Sequence, residues 1–326
     1  MRNLPFLLIP SPKDYLWGGS RLNDDFGKKI DCNPLAETWE CSTHPDGVAY
    51  LEDGTSLIEL LNRHPEYLGS HPLQTTGGKA ELPILIKLID AKRDLSVQVH
   101  PEDSYALKNE GQLGKTEMWY VLAAKPDAQI IYGFEQDMEP EQIRKALNEG
   151  SIDRYLNHIS VNKNDVFMIE AGTVHAIGAG CLIAEIQESS NVTYRMFDYD
   201  RVDKNGRKRT LHIEKALEVA NLKSSASQRQ PMRVLKYRNG FASELLARCK
   251  YFQIERHMLN TEINRELTGY RTGSNSFHSL LCVDGCGVLF GDDFMLNFFK
   301  GDCIFVPADS IPLKLHGQAQ LLDVSC

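Results

Sequence analysis

Short apolar runs separated by turn residues dominate the pattern along the chain. The runs are rich in Val, Ile, Phe and Tyr, and Gly, Pro or Asp residues separate them. Many short strands of this kind are typical of an antiparallel barrel or jelly roll. Eight runs predict β-strands: Leu82–Leu88, Leu95–Val99, Glu117–Leu122, Val166–Ile169, Leu182–Gln187, Thr193–Tyr199, His278–Val283 and Cys303–Val306. Because no strand–helix alternation with a glycine-rich phosphate loop occurs, we do not expect a Rossmann or P-loop enzyme.

Helical patterns are few and lie between the predicted strands. Helices are predicted over Thr55–Arg63, Asp103–Glu110, Pro140–Leu147 and Thr210–Ala220. Their apolar residues recur at helical spacing, and Gly or Pro residues follow at several of the ends. The chain is therefore predicted to be mainly β, with a few short helices inserted in or between barrels.

A polar segment and a weak internal repeat divide the chain. The segment Lys223–Pro231 has the composition of a linker, which predicts domains over residues 1–230 and 231–326. Asn164–His175 resembles Gly301–Pro312, each with a tight turn, an apolar strand and a corner. The first copy ends in histidine and the second in proline, which cannot bind a metal. We expect one type of barrel used twice, with metal ligands only in the first.

Composition and charge narrow the class of partner. The 326 residues are 42% hydrophobic and 25% charged, as in ordinary globular proteins. A formal net charge of -8 argues against a nucleic-acid or anionic-membrane surface. The apolar patch Pro5–Pro10 is too short for a secretory core or a membrane span. We therefore interpret the eight cysteines as thiols of a cytoplasmic protein, monomeric or homodimeric, with a small-molecule substrate.

Polar residues alternate with apolar ones in two of the predicted strands. Ser96, Gln98 and His100 are separated by valines, and Lys115 and Glu117 repeat the alternation in the following run. In a strand, side chains two residues apart point to the same face. A polar row that faces into a barrel is costly unless its groups are paired or bind a ligand. A single inward histidine is more often a hydrogen-bonded core residue, but this combination favours a metal site.

A second histidine-bearing motif contains a glycine corner. His175 ends the segment Glu170–His175, in which Gly172 allows a sharp turn just before the imidazole. This segment resembles the second cupin motif, with Glu170 in place of the usual proline. Gln98-Val-His100 followed by Glu117 resembles the first cupin motif, with glutamine in place of one histidine. The resemblance implies two cupin domains, which are jelly-roll β-barrels.

The donor set implied by the cupin resemblance indicates zinc. Two imidazoles, one carboxylate and one amide oxygen suit a borderline divalent ion. Only Glu117 would offset the charge of the ion, which leaves the centre with a net charge of about +1. Such a centre is a strong Lewis acid that stabilises a developing oxyanion.

Longer motifs resemble type I mannose-6-phosphate isomerase, most closely the short bacterial branch of that family. The resemblance covers most of residues 15–220 in an ordered series of motifs. These are Trp17–Gly19, Ala36–Glu40, Ser96–Asp103, Gly114–Tyr120, Gly172–Gly178, Ala184–Arg195 and Asp198–Arg201. The family interconverts mannose 6-phosphate and fructose 6-phosphate with zinc, which serves mannose metabolism and the supply of GDP-mannose.

The resemblance also implies site residues. It places one zinc ion per chain on Gln98, His100, Glu117 and His175. It implies active-site roles for Lys115, Glu185 and Arg195, and a contact of the phosphate near Ser96. Moving a carbonyl from C1 to C2 requires proton transfer and stabilisation of an enediol oxygen, and Arg195 would assist the metal in the second task.

Alternatives remain open for each of these residues. Glu185 is the candidate base, or it orients another group. Arg195 pairs with the substrate, or with a nearby aspartate. Lys115 protonates sugar oxygens or binds the phosphate, and Ser96 binds the phosphate or satisfies the backbone.

Two other functions compete with a sugar-phosphate isomerase. A cupin oxygenase would use iron, and its turnover would depend on O2. A non-catalytic sugar-binding cupin would bind without conversion. Asn191 favours the latter, because the family often has an aspartate at this place, four residues before the arginine, and an amide cannot act as a base.

Overall fold

The computed structural model describes residues 3–202, 205–225, 230, 232–263 and 266–326. Its strands are β1 Phe6–Leu8, β2 Ser11–Lys13, β3 Glu37–Cys41, β4 Ile84–Asp90, β5 Val97–Val99, β6 Glu117–Ala124, β7 Gln129–Phe134, β8 Leu156–Ser160, β9 Val166–Ile169, β10 His175–Ile177, β11 Cys181–Glu188, β12 Tyr194–Phe197, β13 Lys236–Arg238, β14 Phe241–Arg248, β15 Gln253–Asn260, β16 Thr268–Tyr270, β17 His278–Gly291, β18 Phe294–Phe299, β19 Cys303–Val306 and β20 Leu313–Ser325. The helices are α1 Arg21–Asp24, α2 Leu57–Arg63, α3 Ser70–Thr75, α4 Asp103–Glu110, α5 Pro140–Asn148 and α6 Ile213–Val219, with 3₁₀ turns at Pro65–Leu68 and Ile152–Tyr155.

The predicted mainly-β class is confirmed. Each of the eight predicted strands overlaps an observed strand, and each predicted helix overlaps α2, α4, α5 or α6. The missed strands include apolar runs, such as Phe6–Leu8 of β1 and Phe294–Phe299 of β18, as well as β13, in which all three residues are exposed.

The first barrel consists of two facing sheets. One has the strand order β12-β5-β10-β7-β8, and the other has the order β2-β3-β4-β11-β6-β9. Apolar side chains of both sheets, such as Trp119 and Ile177, share one core cluster. Every residue of β4 is buried, including its single lysine, Lys87. The space between the sheets therefore holds charged side chains as well as apolar ones.

The second barrel is built on one long, folded sheet. Its strand order is β1-β19-β17-β20-β15-β14-β13, with β16 added to β20 and β18 added to β17. Strand β1 comes from the N-terminus, and Phe6 pairs with Phe305. A buried apolar cluster that includes Leu8, Ile86, Phe252 and Phe305 joins the two barrels. The N-terminal strand thus completes the sheet of the C-terminal barrel.

The predicted repeat has a structural counterpart. The order β2-β3-β4-β11-β6-β9 of the first barrel recurs as β13-β14-β15-β20-β17-β19 in the second. Both copies of the repeat place a residue with positive φ before the strand, Asn164 at 75° and Gly301 at 99°. Both also place one at the corner, Gly172 at 89° and Asp309 at 50°. The two barrels share one chain path.

The boundary between domains at residue 230 stays a prediction. Within the predicted linker Lys223–Pro231, residues 226–229 and 231 lie outside the described residues. Among the helices in the described ranges, none is long and apolar enough to cross a membrane.

Candidate metal centre

Strand pairing brings the predicted metal ligands together from both sheets of the first barrel. Strands β5 and β10 are neighbours, and Gln98 lies directly opposite His175. His100 follows the end of β5, and Glu117 begins β6 in the facing sheet. The corner before β10 is anchored to the same place, because the Gly172 amide donates to the His100 carbonyl at 2.8 Å. A Cβ atom at Gly172 would lie 3.1 Å from a backbone oxygen of α6, so the corner requires glycine.

Three buried side chains converge on one point. Glu117 Oε1 lies 3.5 Å from His175 Nε2, and Glu117 Oε2 lies 3.7 Å from His100 Nε2. The ligand atoms of the three residues all lie within 4.8 Å of one another. Tetrahedral ligands bound to zinc at 2.0–2.1 Å are separated by about 3.4 Å. The spacing therefore matches that of ligands around one small divalent ion.

The hydrogen bonds of the two imidazoles leave the metal-facing nitrogens free. His100 Nδ1 donates to the Val192 carbonyl at 2.8 Å, and His175 Nδ1 donates to the Thr173 carbonyl at 2.8 Å. A protonated Nδ1 makes Nε2 of a neutral imidazole a lone-pair donor. Both rings thus present Nε2 to the Glu117 carboxylate in the form that a metal requires.

Two of these atoms lack hydrogen bonds. His100 Nε2 and Glu117 Oε1 are fully buried without a hydrogen-bond partner in the described part of the chain, whereas Glu117 Oε2 forms an ion pair with Lys115 Nζ at 3.0 Å. A buried, unpaired polar group costs about 1–3 kcal/mol, and more when it is charged. A cation at this point would satisfy these atoms together, so the residues present fit a metal ion.

Gln98, the predicted fourth ligand, lies at the edge of the cluster. Its amide Nε2 is 3.4 Å from His175 Nε2, and its Oε1 accepts a hydrogen bond from Ser96 Oγ at 3.4 Å. Amide oxygen and nitrogen are assigned from their surroundings and exchange by one bond rotation. That rotation would turn Oε1 toward the imidazole, at a distance typical of neighbouring metal ligands.

Burial sets the protonation states of the ligands. It lowers the pKa of His175 to about 4 and holds the pKa of His100 well below its ordinary value. Burial also raises the pKa of Glu117 to about 7, and the nearby Glu185 carboxylate adds to this shift. In the absence of metal, the histidines are neutral near pH 7 and Glu117 titrates there.

Glu185 lies beside the cluster but is already paired. Its Oε1 accepts a hydrogen bond from Lys87 Nζ at 3.1 Å, and its Oε2 accepts one from Trp119 Nε1 at 3.0 Å. Lys115 Nζ is 3.6 Å from Glu185 and 3.0 Å from Glu117. Burial alone would raise the pKa of Glu185, but Lys115 and Lys87 outweigh it and lower this pKa. These contacts favour Glu185 as a group that positions the two lysines.

A cavity of about 320 Å³ opens from the cluster. Five of the predicted site residues line it, namely Ser96, Gln98, Lys115, Glu185 and Arg195. Arg195 Nε donates to Ser96 Oγ at 3.2 Å, and Arg195 Nη1 donates to the Thr210 carbonyl at 3.0 Å. The other three predicted residues, His100, Glu117 and His175, do not line the cavity. They lie behind two lining residues, since His175 contacts Gln98 and Glu117 contacts Lys115. The structure thus brings all eight predicted residues to one place.

The cavity also contains residues that the sequence reasoning missed, among them Lys87, Arg209, Glu37 and His212. Lys87 could have been found from the sequence, since it is the lone charged residue in the apolar run Leu82–Leu88. No pattern in the sequence indicates Arg209, because its position depends on two hydrogen bonds to Asp198 that form only in the fold. Asn191 lines the cavity as well, and its side-chain amide donates to Asp46 Oδ2 at 2.9 Å.

Comparison with known proteins agrees with this architecture. Residues 6–135 match the phosphomannose isomerase type I catalytic domain, and residues 243–326 match the mannose-6-phosphate isomerase cupin domain. Mannose-6-phosphate isomerase of Streptococcus mutans serotype c is 37% identical over 98% of this chain and 97% of its own. Mannose-6-phosphate isomerase ManA of Bacillus subtilis is 33% identical over 99% of each chain. The crystal structure of mannose 6-phosphate isomerase from Bacillus subtilis has a TM-score of 0.86, 32% identity and 99% coverage of both chains.

Fold and site together define a two-barrel cupin enzyme with a buried centre suited to a divalent ion. The chain belongs to the type I phosphomannose isomerase family, also called the mannose-6-phosphate isomerases, and it is an isomerase.

Proposed function

We propose that the protein interconverts mannose 6-phosphate and fructose 6-phosphate, with one zinc ion per chain held by Gln98, His100, Glu117 and His175. The observation that carries this proposal is the convergence of buried, unpartnered ligand atoms beside a cavity lined by cationic side chains. Zinc suits two neutral imidazoles, a carboxylate and an amide oxygen. When bound, it would supply Lewis acidity for the oxygen that becomes negative during isomerisation.

We propose that the two ends of a phosphosugar bind at different places in the cavity. Arg195, Arg209 and Ser96 line the cavity, and Arg195 Nε donates to Ser96 Oγ at 3.2 Å. Guanidinium and hydroxyl groups suit a phosphate, so we take these three residues as the phosphate end. Ser96 lies two residues before Gln98 on the same strand face, roughly 7 Å along the strand. We assign phosphate binding to this end, so that the carbonyl end of the sugar reaches the metal centre.

Lys115 and Glu185 then act at the carbonyl end. Lys115 Nζ lies 3.0 Å from Glu117 and lines the cavity, so it is placed to donate a proton to a sugar oxygen. Glu185 was the candidate base in the sequence, yet both of its oxygens accept hydrogen bonds. We propose that Glu185 holds Lys87 and Lys115 in place, because a carboxylate with a lowered pKa is a weak base.

The substrate proposal extends to the role in the cell. We infer that the reaction serves mannose metabolism and the supply of GDP-mannose. We place it in the cytoplasm, because all eight cysteines, each within the described ranges, are free thiols. A monomer or a homodimer stays a prediction.

A coupled assay tests the proposal. The conversion of mannose 6-phosphate is measured with the protein as purified, after complete chelation, and after return of zinc. We expect activity to disappear on chelation and to recover with about one zinc per chain. Full activity in the metal-free protein would refute the metal centre, and inactivity toward hexose phosphates would refute the function. Dependence on O2 would instead favour an oxygenase.

A further inference from the structure

The second barrel has a polar pocket at the place where the first barrel has its catalytic one. The correspondence follows from strand register. In the first barrel Glu117 pairs with Ile169, and in the second His278 pairs with Val306. Ile169 and Val306 are matched positions of the repeat Asn164–His175 and Gly301–Pro312. His278 therefore occupies the place of the metal ligand Glu117.

A second position corresponds in the same way. Glu185 pairs with Trp119, which lies two residues after Glu117. Asp323 pairs with Leu280, which lies two residues after His278. Asp323 thus occupies the place of Glu185, and both carboxylates are buried. The second barrel therefore has titratable side chains at the two positions that Glu117 and Glu185 occupy in the first barrel.

The chemistry of these groups differs from that of a metal centre. The position of His175 is taken by Pro312, which offers no ligand. His278 Nδ1 donates to Asp323 Oδ1 at 2.6 Å, and the Tyr270 hydroxyl donates to Asp323 Oδ2 at 2.9 Å. Both oxygens of Asp323 are therefore occupied. Within the described ranges, a cluster of convergent metal ligands occurs only in the first barrel.

The hydrogen bond between His278 and Asp323 leaves one ring nitrogen of His278 available to a ligand. Because His278 uses Nδ1 to contact Asp323, its Nε2 is left for a ligand, and 27% of its side chain is exposed. Burial alone would lower the pKa of His278, but the Asp323 carboxylate outweighs it and raises this pKa. His257 also lines the pocket, and its two ring nitrogens lie next to carboxylates, Nδ1 at 3.6 Å from Asp323 Oδ2 and Nε2 at 3.4 Å from Glu255 Oε2.

The mouth of the pocket is cationic. Lys236, Arg238 and Arg271 line a cavity of about 450 Å³ together with His278 and Asp323. Arg238 donates to the Gly269 carbonyl, and Arg271 pairs with Asp309. The Lys236 side chain is exposed, and its charge acts on Glu255, a carboxylate that lines the same cavity. Three cations around the half-buried His278 and the buried Asp323 suit a compact anion with several acceptor oxygens.

We propose that this pocket binds the phosphate group of a small phosphorylated metabolite without converting it. The site is separate from the catalytic cavity, since no lining residue is common to the two. It provides the full-length enzyme with a second phosphate site, beside the apolar cluster of the second barrel to which Phe241 and Tyr270 belong. Inorganic phosphate and a sugar phosphate present the same group, and binding measurements separate them.

Histidine side-chain NMR of the zinc-loaded, full-length protein tests this proposal. The probes are inorganic phosphate and sorbitol 6-phosphate, which has no carbonyl group and cannot be isomerised. We expect either probe to shift the ring signals of His278, assigned with His278→Gln. Tighter binding of sorbitol 6-phosphate would identify a sugar phosphate as the ligand, and equal binding would identify the phosphate group alone. Isomerase activity is not the readout, so failure of this proposal is distinct from failure of the proposed function.

Two exposed lysines provide a matched pair of variants that are expected to fold normally. Lys236→Ala should weaken binding at the second site about tenfold or more, since a charge-assisted hydrogen bond is lost. Lys314→Ala, on β20 outside the pocket, should leave binding unchanged, and both variants should retain isomerase activity. If the His278 signals stay fixed while phosphate saturates the catalytic site, the proposal is overturned. An equal phosphate affinity in Lys236→Ala and in the wild type would also overturn it.

Discussion

The buried cluster of the first barrel predicts how many protons leave the protein when zinc binds. In the metal-free protein the pKa of Glu117 is raised to about 7 by burial, whereas the pKa of His175 is lowered to about 4. The His100 pKa also lies well below its ordinary value. Only Glu117 therefore has a proton to release near neutral pH, because both histidines are already neutral. Metal binding requires the carboxylate form.

The expected magnitude follows from this titration. A group with a pKa of about 7 is about 0.9 protonated at pH 6 and about 0.1 protonated at pH 8. Binding of zinc should thus release about 0.9 proton from the protein at pH 6 and about 0.1 proton at pH 8. The affinity for zinc should be about tenfold lower at pH 6 than at pH 8. Calorimetry of the metal-free protein in buffers of different ionisation enthalpy measures both quantities.

Two other results would contradict this reasoning. If the histidines kept ordinary pKa values of about 6.5, the two rings would release about 1.5 protons at pH 6. If Glu117 kept an ordinary carboxyl pKa of about 4.3, the number of protons released would be close to zero at both pH 6 and pH 8. Glu117→Gln provides the control, because it should abolish the pH-dependent release while the histidines remain.

Three further predictions concern neighbouring residues. His100→Ala should reduce both bound zinc and isomerase activity to below about 1% of wild type, as measured by metal analysis and the coupled assay. Full zinc occupancy in this variant would refute the role of His100 as a ligand. Lys87→Met should lower the free energy of unfolding in urea by about 3 kcal/mol, because it removes a buried partner of Glu185; an unchanged unfolding midpoint would show that the pair is dispensable. Gly172→Ala should cost about 1–3 kcal/mol, because its φ is 89° and its Cβ would approach the Val219 carbonyl; calorimetric melting with and without zinc separates this strain from loss of metal.

The two barrels illustrate how one chain path can support different chemistry. Glu117 and His278 occupy matched positions, as do Glu185 and Asp323. In the first barrel, two lysines surround the carboxylate at the second position, and unpaired ligand atoms remain nearby. In the second, histidine and tyrosine satisfy both oxygens of Asp323. The contacts of the side chains, and not the path of the backbone, distinguish a candidate metal centre from a proposed anion pocket.

Local patterns in the sequence were sufficient to predict several features of the structure. The period-2 alternation around Gln98 and Glu117 predicts which side chains face inward, because that period is a property of any strand. The glycine before His175 predicts a sharp corner, and the observed φ of 89° at Gly172 agrees. The repeat of Asn164–His175 in Gly301–Pro312 predicts two related barrels. Each of these features depends on neighbours in the chain.

Other features depend on which distant segments meet, and only the tertiary structure decided them. Pairing of β4 with β11 places Lys87 against Glu185, and Lys115 and Lys87 together lower the pKa of this carboxyl group, which supports the positioning role that we propose. Pairing of β1 with β19 completes the second barrel with N-terminal residues. The alternation of polar and apolar residues, together with the family resemblance, predicts the ligands of the candidate metal centre and the strand face on which they lie. Their burial, their protonation and their partners arise from strands far apart in the chain, since desolvation and charge act through space.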